Sequence, residues 1–202
     1  MVYTDFVLQS WDQKQKDLNL LTYYYFESGF SKEECEIIKN YFYENTVLEE
    51  GTIIGAPIEN YRTSNVSWLE YFPDSPLAWV FDRLGFYCTD ANNSIWNFDL
   101  IGMTECLQFT HYSSEKQGRY KRHTDIGGGF FHRKISIVIQ LDDPEDYTGG
   151  DLLIYPGDGA LNAPKKQGDV ILFPSYLIHE VTPLTSGERR SLVCWVSGPV
   201  WR

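Results

Sequence analysis

Arg119-Tyr120-Lys121-Arg122-His123-Thr124-Asp125, followed by Ile126-Gly127-Gly128-Gly129-Phe130-Phe131, reads as a strand that stops at a glycine-rich turn. Side chains alternate faces along an extended backbone, so His123 and Asp125, at i and i+2, point the same way. The glycine run cannot continue a regular strand, which leaves that pair beside an open loop. His179 follows 56 residues after His123, at the head of His179-Glu180-Val181-Thr182-Pro183, and Arg189 lies ten residues further on. For such distant residues to converge, the sheet between them must close or fold back over itself.

The surrounding texture supports such a sheet. From Trp96 onward short runs alternate with turns: Asn97–Ile101, Glu105–Tyr112, Arg119–Thr124, Lys134–Leu141, Asp151–Tyr155, Asp169–Phe173, His179–Val181 and Arg190–Val196. Gly, Pro, Asp and Ser clusters separate them, as at Ser113–Gly118, Asp142–Gly150 and Pro156–Gly159. Eight short strands at this spacing predict a mainly β fold, a double-sheet jelly roll. Upstream, Thr22–Phe26 reads as a strand. Ser31-Lys32-Glu33-Glu34 has the form of a capping box, and Cys35, Ile38, Tyr41 and Phe42 recur behind it at helical spacing, predicting a helix from Lys32 to Tyr43. Ser75-Pro76 opens a second helix with Leu77, Val80, Phe81 and Leu84 as its apolar stripe. Gly85 either ends or interrupts it. The expected organisation is one domain over residues 1–202. Residues 1–95 provide helical support packed on one sheet, and residues 96–202 form the jelly-roll core with the pocket.

Composition narrows the function classes. The chain has 202 residues, enough to bury a full core. Its 17 basic and 28 acidic residues give a net charge of −11, which argues against nucleic acid and anionic membrane surfaces as partners. No apolar run has bilayer-spanning length, and the first residues lack a signal peptide's hydrophobic stretch. Cys35, Cys88, Cys106 and Cys194 show no CxxC pairing. Free thiols and a cytoplasmic location are expected.

Two imidazoles and one carboxylate on one face of an iron ion form the facial triad of non-heme Fe(II) oxygenases, whose open positions take an organic cosubstrate and O2. His123, Asp125 and His179 are the candidate ligands. A dicarboxylic 2-oxo acid would chelate iron through one end and need a fixed cation at the other. The planar fork of Arg189 suits that carboxylate. Alternation sends Arg190 to the opposite face, toward water. Trp195, six residues beyond Arg189, shares the inward face. The Tyr112 hydroxyl could hydrogen-bond a bound oxo acid. Ordinary core packing is the alternative for both. Gln140, in the apolar strand Ile135–Leu141, either points outward or reaches a ligand. Arg62, Ser64 and Trp68 lie in Asn60–Leu69, a segment that reads either as an edge strand over the pocket mouth or as a solvated strand. His111 should face away from the site, and His132 sits beyond the glycine loop.

These strings resemble the iron(II)- and 2-oxoglutarate-dependent dioxygenases of the prolyl 4-hydroxylase type. The likeness rests on Tyr120–Asp125, Gly149-Gly150-Asp151-Leu152, Gly168–Pro174, and His179 through Gly187-Glu188-Arg189 to Trp195. Arg62-Thr63-Ser64 with Trp68-Leu69 extends it upstream, and the pattern is close to PKHD-type hydroxylases. The resemblance implies a double-stranded β-helix (cupin-like) fold. It implies Fe(II) on His123, Asp125 and His179, with the 2-oxoglutarate C5 carboxylate on Arg189. Tyr112 falls at a cosubstrate-binding tyrosine, Tyr120 near the substrate, and Arg62 at a substrate-contacting arginine. Gln140 stands where some relatives have a tyrosine that helps bind the C5 carboxylate, so altered cosubstrate contact is expected. O2 would be the second cosubstrate and ascorbate a candidate reductant.

The leading expectation is hydroxylation of an unactivated C–H bond in a prolyl residue of a peptide or protein, releasing succinate and CO2. The alternatives are a hydroxylase of a small molecule such as a free amino acid, and a non-catalytic jelly-roll binding module. A monomer or small homo-oligomer is expected.

Overall fold

The computed structural model describes residues 22–52 and 61–201. Among these residues, two α-helices and fourteen strands follow one another in chain order. They are β1 (Tyr24–Phe26), α1 (Lys32–Asn45), β2 (Glu49–Glu50), β3 (Arg62–Thr63), β4 (Asn65–Leu69), α2 (Ala78–Ala91), β5 (Leu107–Ser113), β6 (Arg119–His123), β7 (Arg133–Gln140), β8 (Thr148–Gly149), β9 (Leu152–Tyr155), β10 (Leu161–Asn162), β11 (Val170–Pro174), β12 (Ile178–Val181), β13 (Leu184–Ser186) and β14 (Glu188–Ser197). The larger sheet has the order β1-β11-β7-β14-β5-β4-β2 and the smaller one β10-β9-β12-β6-β3. All their pairings are antiparallel. Strands β8 and β13 form a separate short ribbon. This is the double-sheet jelly roll expected from the strand spacing and the double-stranded β-helix that the resemblance implied.

The central strands of the larger sheet, β7, β11 and β14, are buried on both faces along most of their length, and alternation divides their side chains between two environments. On β7, Ile135, Ile137 and Ile139 face the helices, where they join Ile38 and Phe42 of α1 and Val80 and Leu84 of α2 in the main core. Val138, on the other face, meets Ile171 and Phe173 of β11 and Leu152 and Ile154 of β9 between the sheets. On β14, Leu192, Cys194 and Val196 belong to the helix side. The helices thus cover one face of the larger sheet and leave the other to the site.

Helix α1 begins where its capping box requires. The Ser31 hydroxyl accepts from the Glu34 N–H at 3.2 Å, and the Glu34 carboxylate accepts from the Ser31 N–H at 2.9 Å. Helix α2 departs from expectation. It starts at Ala78 rather than Pro76, because Ser75 and Pro76 belong to a turn closed by Ala78 N–H donating to Ser75 O at 2.9 Å. It also runs straight through Gly85, where an added Cβ would make only an ordinary contact with Met103. The strand expected at Asn97–Ile101 is absent. A π-helical turn, Asn92–Trp96, ends with Asn97 in the left-handed region, and the Asn92 side chain bonds both the N–H and the C=O of Phe98. Phe98 and Leu100 pack against the helix-side core instead of pairing, whereas Ile101 is exposed and only its N–H reaches Ser197 O of β14. The segment before residue 96 also contributes more than helices: β1, β2 and β4 extend the larger sheet and β3 the smaller one. All four cysteines are free thiols.

Gly168 joins α1's approach to the sheet. Its φ is +86°, its C=O accepts from Phe30 N–H at 3.0 Å, and a Cβ would sit 1.9 Å from Phe30 O. Gly168→Ala is therefore expected to cost at least about 2 kcal/mol. Urea unfolding would show this as a lower midpoint at unchanged slope; a curve superimposable on the parent's would contradict it.

Candidate active site

Strands β6 and β12 pair so that His179 lies directly opposite His123. Two residues further along β12, Val181 pairs with Tyr120, so the register slips by one residue between the pairs. This bulge lets Tyr120 and His123, three positions apart, both line the same cavity. Asp125 lies beyond the end of β6. Its position is fixed by its own N–H, which donates to Ser175 O at 3.0 Å, rather than by strand alternation.

His123, Asp125 and His179 converge, with one ligand atom from each lying within 4.8 Å of the others. Each imidazole is oriented through its far nitrogen. The Nδ1–H of His123 donates to Lys121 O at 2.7 Å, and that of His179 to Leu177 O at 2.9 Å. A carbonyl oxygen can only accept, so each Nδ1 carries a proton and each Nε2 is the nitrogen turned toward the site. Those Nε2 atoms lie 3.8 Å and 3.5 Å from the Asp125 carboxylate oxygens. Burial, helped by the neighbouring His179, pushes His123 down to about 3, which keeps its imidazole neutral. Burial works to raise the Asp125 pKa, but the two imidazoles and the Ser136 hydroxyl outweigh it and hold the carboxyl below its ordinary value. Two imidazole nitrogens and a carboxylate oxygen are a donor set that suits a ferrous ion.

The residues behind Asp125 escaped the sequence reading. Ser136 Oγ donates to Asp125 Oδ2 at 2.6 Å and is bonded to Ser175 Oγ at 2.9 Å; both serines are fully buried. Alternation in Arg133–Gln140 could have placed Ser136 inward, but nothing in the string said what it would meet. Arg133 was likewise unmarked. It pairs with the Glu105 carboxylate, donates to Asp125 O at 3.3 Å, and lies 3.8 Å from the Trp195 ring centroid and 3.9 Å from that of Phe130.

Two connected cavities meet at the triad. The outer cleft, about 650 Å³, is lined by Arg62, Trp68, Tyr120, Trp195 and the glycine turn, among others. The narrow inner pocket runs from Asp125 and the two histidines to Tyr112, Ser191 and Arg189. Tyr120, His123, Asp125 and Trp195 border both. Tyr120 stacks on the His123 ring at 3.6 Å between centroids. The Trp195 indole N–H has no hydrogen-bond partner; it lies near enough to favour the Asp125 carboxylate but outside bonding geometry.

Arg189 is buried at the inner end, 1% exposed, with its Nη2 donating to Gln140 Oε1 at 2.8 Å. Arg190 turns the other way, to Asp142 and Tyr43. Gln140 faces inward but lines neither cavity. Ser64 is also set back, accepting from Arg62 Nε at 2.9 Å. The Arg62 guanidinium lies over the Tyr120 ring, and its Nη2 is buried without a partner. The segment divides between the sheets: β3, with Arg62, is the edge strand of the smaller sheet, whereas β4, with Trp68, lies one strand inside the larger sheet, flanked on its outer side only by the two-residue β2. His111 faces Glu188 and Tyr43, away from the site, and His132 faces Glu105.

Comparison with known proteins agrees with this geometry. Residues 107–197 match the 2OG-Fe(II) oxygenase superfamily. A PKHD-type hydroxylase of Crocosphaera subtropica is 36% identical over 94 residues, covering 45% of this chain and 41% of the relative. One from Nitrosomonas europaea is 35% identical over 95 residues, 44% and 40% of the two chains. The match thus spans about two-fifths of these curated relatives. Among solved structures, a Pseudomonas putida prolyl-4-hydroxylase superposes with a TM-score of 0.71 at 20% identity, covering 90% of this chain and 96% of that one. A Trichoplax adhaerens prolyl hydroxylase, solved with a peptide fragment of the hypoxia inducible factor oxygen degradation domain, gives 0.69 at 18%, covering 95% and 94%. Residues 107–197 are thus similar to the 2OG-Fe(II) oxygenase superfamily, within a fold shared with prolyl 4-hydroxylases.

Proposed function

We propose that this chain is an Fe(II)- and 2-oxoglutarate-dependent dioxygenase that hydroxylates a prolyl residue in a peptide or protein. The observation that supports it is a single inner pocket with two imidazoles and a carboxylate at one end and a buried guanidinium at the other. That pocket matches the two functional ends of a dicarboxylic 2-oxo acid.

His123, Asp125 and His179 would hold Fe(II), and Arg189 the far carboxylate of 2-oxoglutarate. When bound, metal and cosubstrate supply the oxidising chemistry: 2-oxoglutarate and O2 become succinate and CO2, and one oxygen atom enters a substrate C–H bond. The protein binds, orients and shields. The Nδ1 hydrogen bonds of the histidines keep their Nε2 lone pairs aimed at one point. Ser136 and the Ser175 backbone carbonyl fix Asp125. The Tyr120 ring covers one face of His123, and Trp195 forms part of the wall between cleft and pocket.

The outer cleft favours a peptide over a free amino acid. Its volume, about 650 Å³, lies in the range of sites for ligands well above amino-acid size. Aromatic rings line it, and Arg62 Nη2 is a spare donor for an acceptor such as a peptide carbonyl.

Anaerobic addition of Fe(II) and 2-oxoglutarate should produce a weak visible charge-transfer band. Asp125→Ala should abolish it, and full turnover by that variant would refute the triad assignment. Ser136→Ala should weaken metal binding about 10–100-fold, measured by competition with a chelating dye. With proline-rich peptides the protein should release succinate and add one oxygen to the peptide. Equal or greater turnover with free amino acids would point to a small-molecule hydroxylase instead.

A further inference from the structure

We infer that Gln140 positions Arg189 for the cosubstrate's far carboxylate without touching the cosubstrate itself. The inference rests on the proposed dioxygenase activity and adds a residue that acts only through another. Gln140 is 2% exposed and borders neither cavity, whereas Arg189 borders the inner pocket. Both ends of its amide are engaged. Nε2 donates to Pro164 O at 3.0 Å, and Oε1 accepts from Arg189 Nη2 at 2.8 Å. The Pro164 carbonyl can only accept, so it fixes which way the amide is turned and presents the oxygen, not the NH2, to the guanidinium.

The choice of nitrogen matters. A guanidinium pairs bidentately along either of two edges, Nε with Nη2 or Nη1 with Nη2, and Nη2 is common to both. Holding Nη2 therefore sets the plane of the whole fork while using only one of that nitrogen's two hydrogens. Arg189 Nε and Nη1 are buried with no protein partner in bonding geometry, although the Tyr147 hydroxyl lies close to the guanidinium, so donors remain for a carboxylate. Gly150 completes the arrangement: a Cβ there would lie 3.0 Å from Arg189 Cδ and 2.3 Å from Leu184 Cδ1, so the absence of a side chain lets the arginine stem pass.

The test uses Gln140→Met, which keeps length and apolar packing but removes the acceptor, and Gln140→Glu, which keeps the acceptor. In the full-length, ligand-free protein, nitrogen-15 spectra should resolve the two Nη atoms of Arg189, assigned by their loss in Arg189→Lys. They should collapse to one averaged signal in Gln140→Met and stay separate in Gln140→Glu. On the Zn(II)-loaded protein, calorimetry should show 2-oxoglutarate binding about tenfold more weakly to Gln140→Met. Binding of 2-oxopentanoate, which has a methyl group in place of the far carboxylate, should change less than twofold. Weaker 2-oxoglutarate binding with unaltered Arg189 signals would make Gln140 a direct ligand and overturn the inference, as would no change in either measurement. A parent protein that binds no 2-oxo acid would instead sink the dioxygenase reading, and with it the carboxylate's part in this inference; the collapse of the Arg189 signals would still report the Gln140 contact.

Discussion

The pairing of β6 with β12 is the constraint on which the site depends. Placing His179 opposite His123 brings together residues separated by most of the jelly roll, and no local interaction could do so. Backbone hydrogen bonds of the ladder set the distance between the two rings, whose centroids are 4.2 Å apart. Backbone carbonyls at Lys121 and Leu177, each two residues before its histidine, then set ring orientation. The geometry of the two candidate histidine ligands is thus built largely from main-chain contacts.

The larger sheet serves two purposes at once because its strands alternate. Every second residue of β7 and β14 packs under α1 and α2, and the residues between them build the site. Ser136, Val138 and Gln140 lie between Ile135, Ile137 and Ile139; Arg189, Ser191, Val193 and Trp195 lie between Arg190, Leu192, Cys194 and Val196. The apolar face supplies the burial that keeps the strands rigid, so polar groups on the other face can be held within a hydrogen bond of their partners. The helices thereby determine the precision of a site they do not touch.

The fold and the site were legible to different degrees. His123, Asp125, His179 and Arg189 stood out because their residue types are rare inside a sheet and their order along the chain fits one chemistry. The capping box at Ser31 fixed the start of α1 from four residues. Asn97–Ile101 misled because an apolar run looks the same whether it pairs in a sheet or lies against a helix face, and the Asn92 side chain that decides the matter has no sequence signature. Pro76 misled because proline also suits the turn before a helix. Ser136, Ser175 and Arg133 were silent: a serine or arginine in a strand says nothing of its partners until register is known. Gln140 was recognised as anomalous, but its partners, Pro164 and Arg189, came only with tertiary structure.

Arg133 has a consequence for how the cleft communicates with its floor. Its guanidinium is wedged between the Phe130 ring at the rim and the Trp195 ring at the wall, and the same group grips the backbone of Asp125. Rim, wall and the Asp125 main chain therefore meet at one cation, so the packing of Phe130 and Trp195 and the carbonyl of Asp125 share a single anchor.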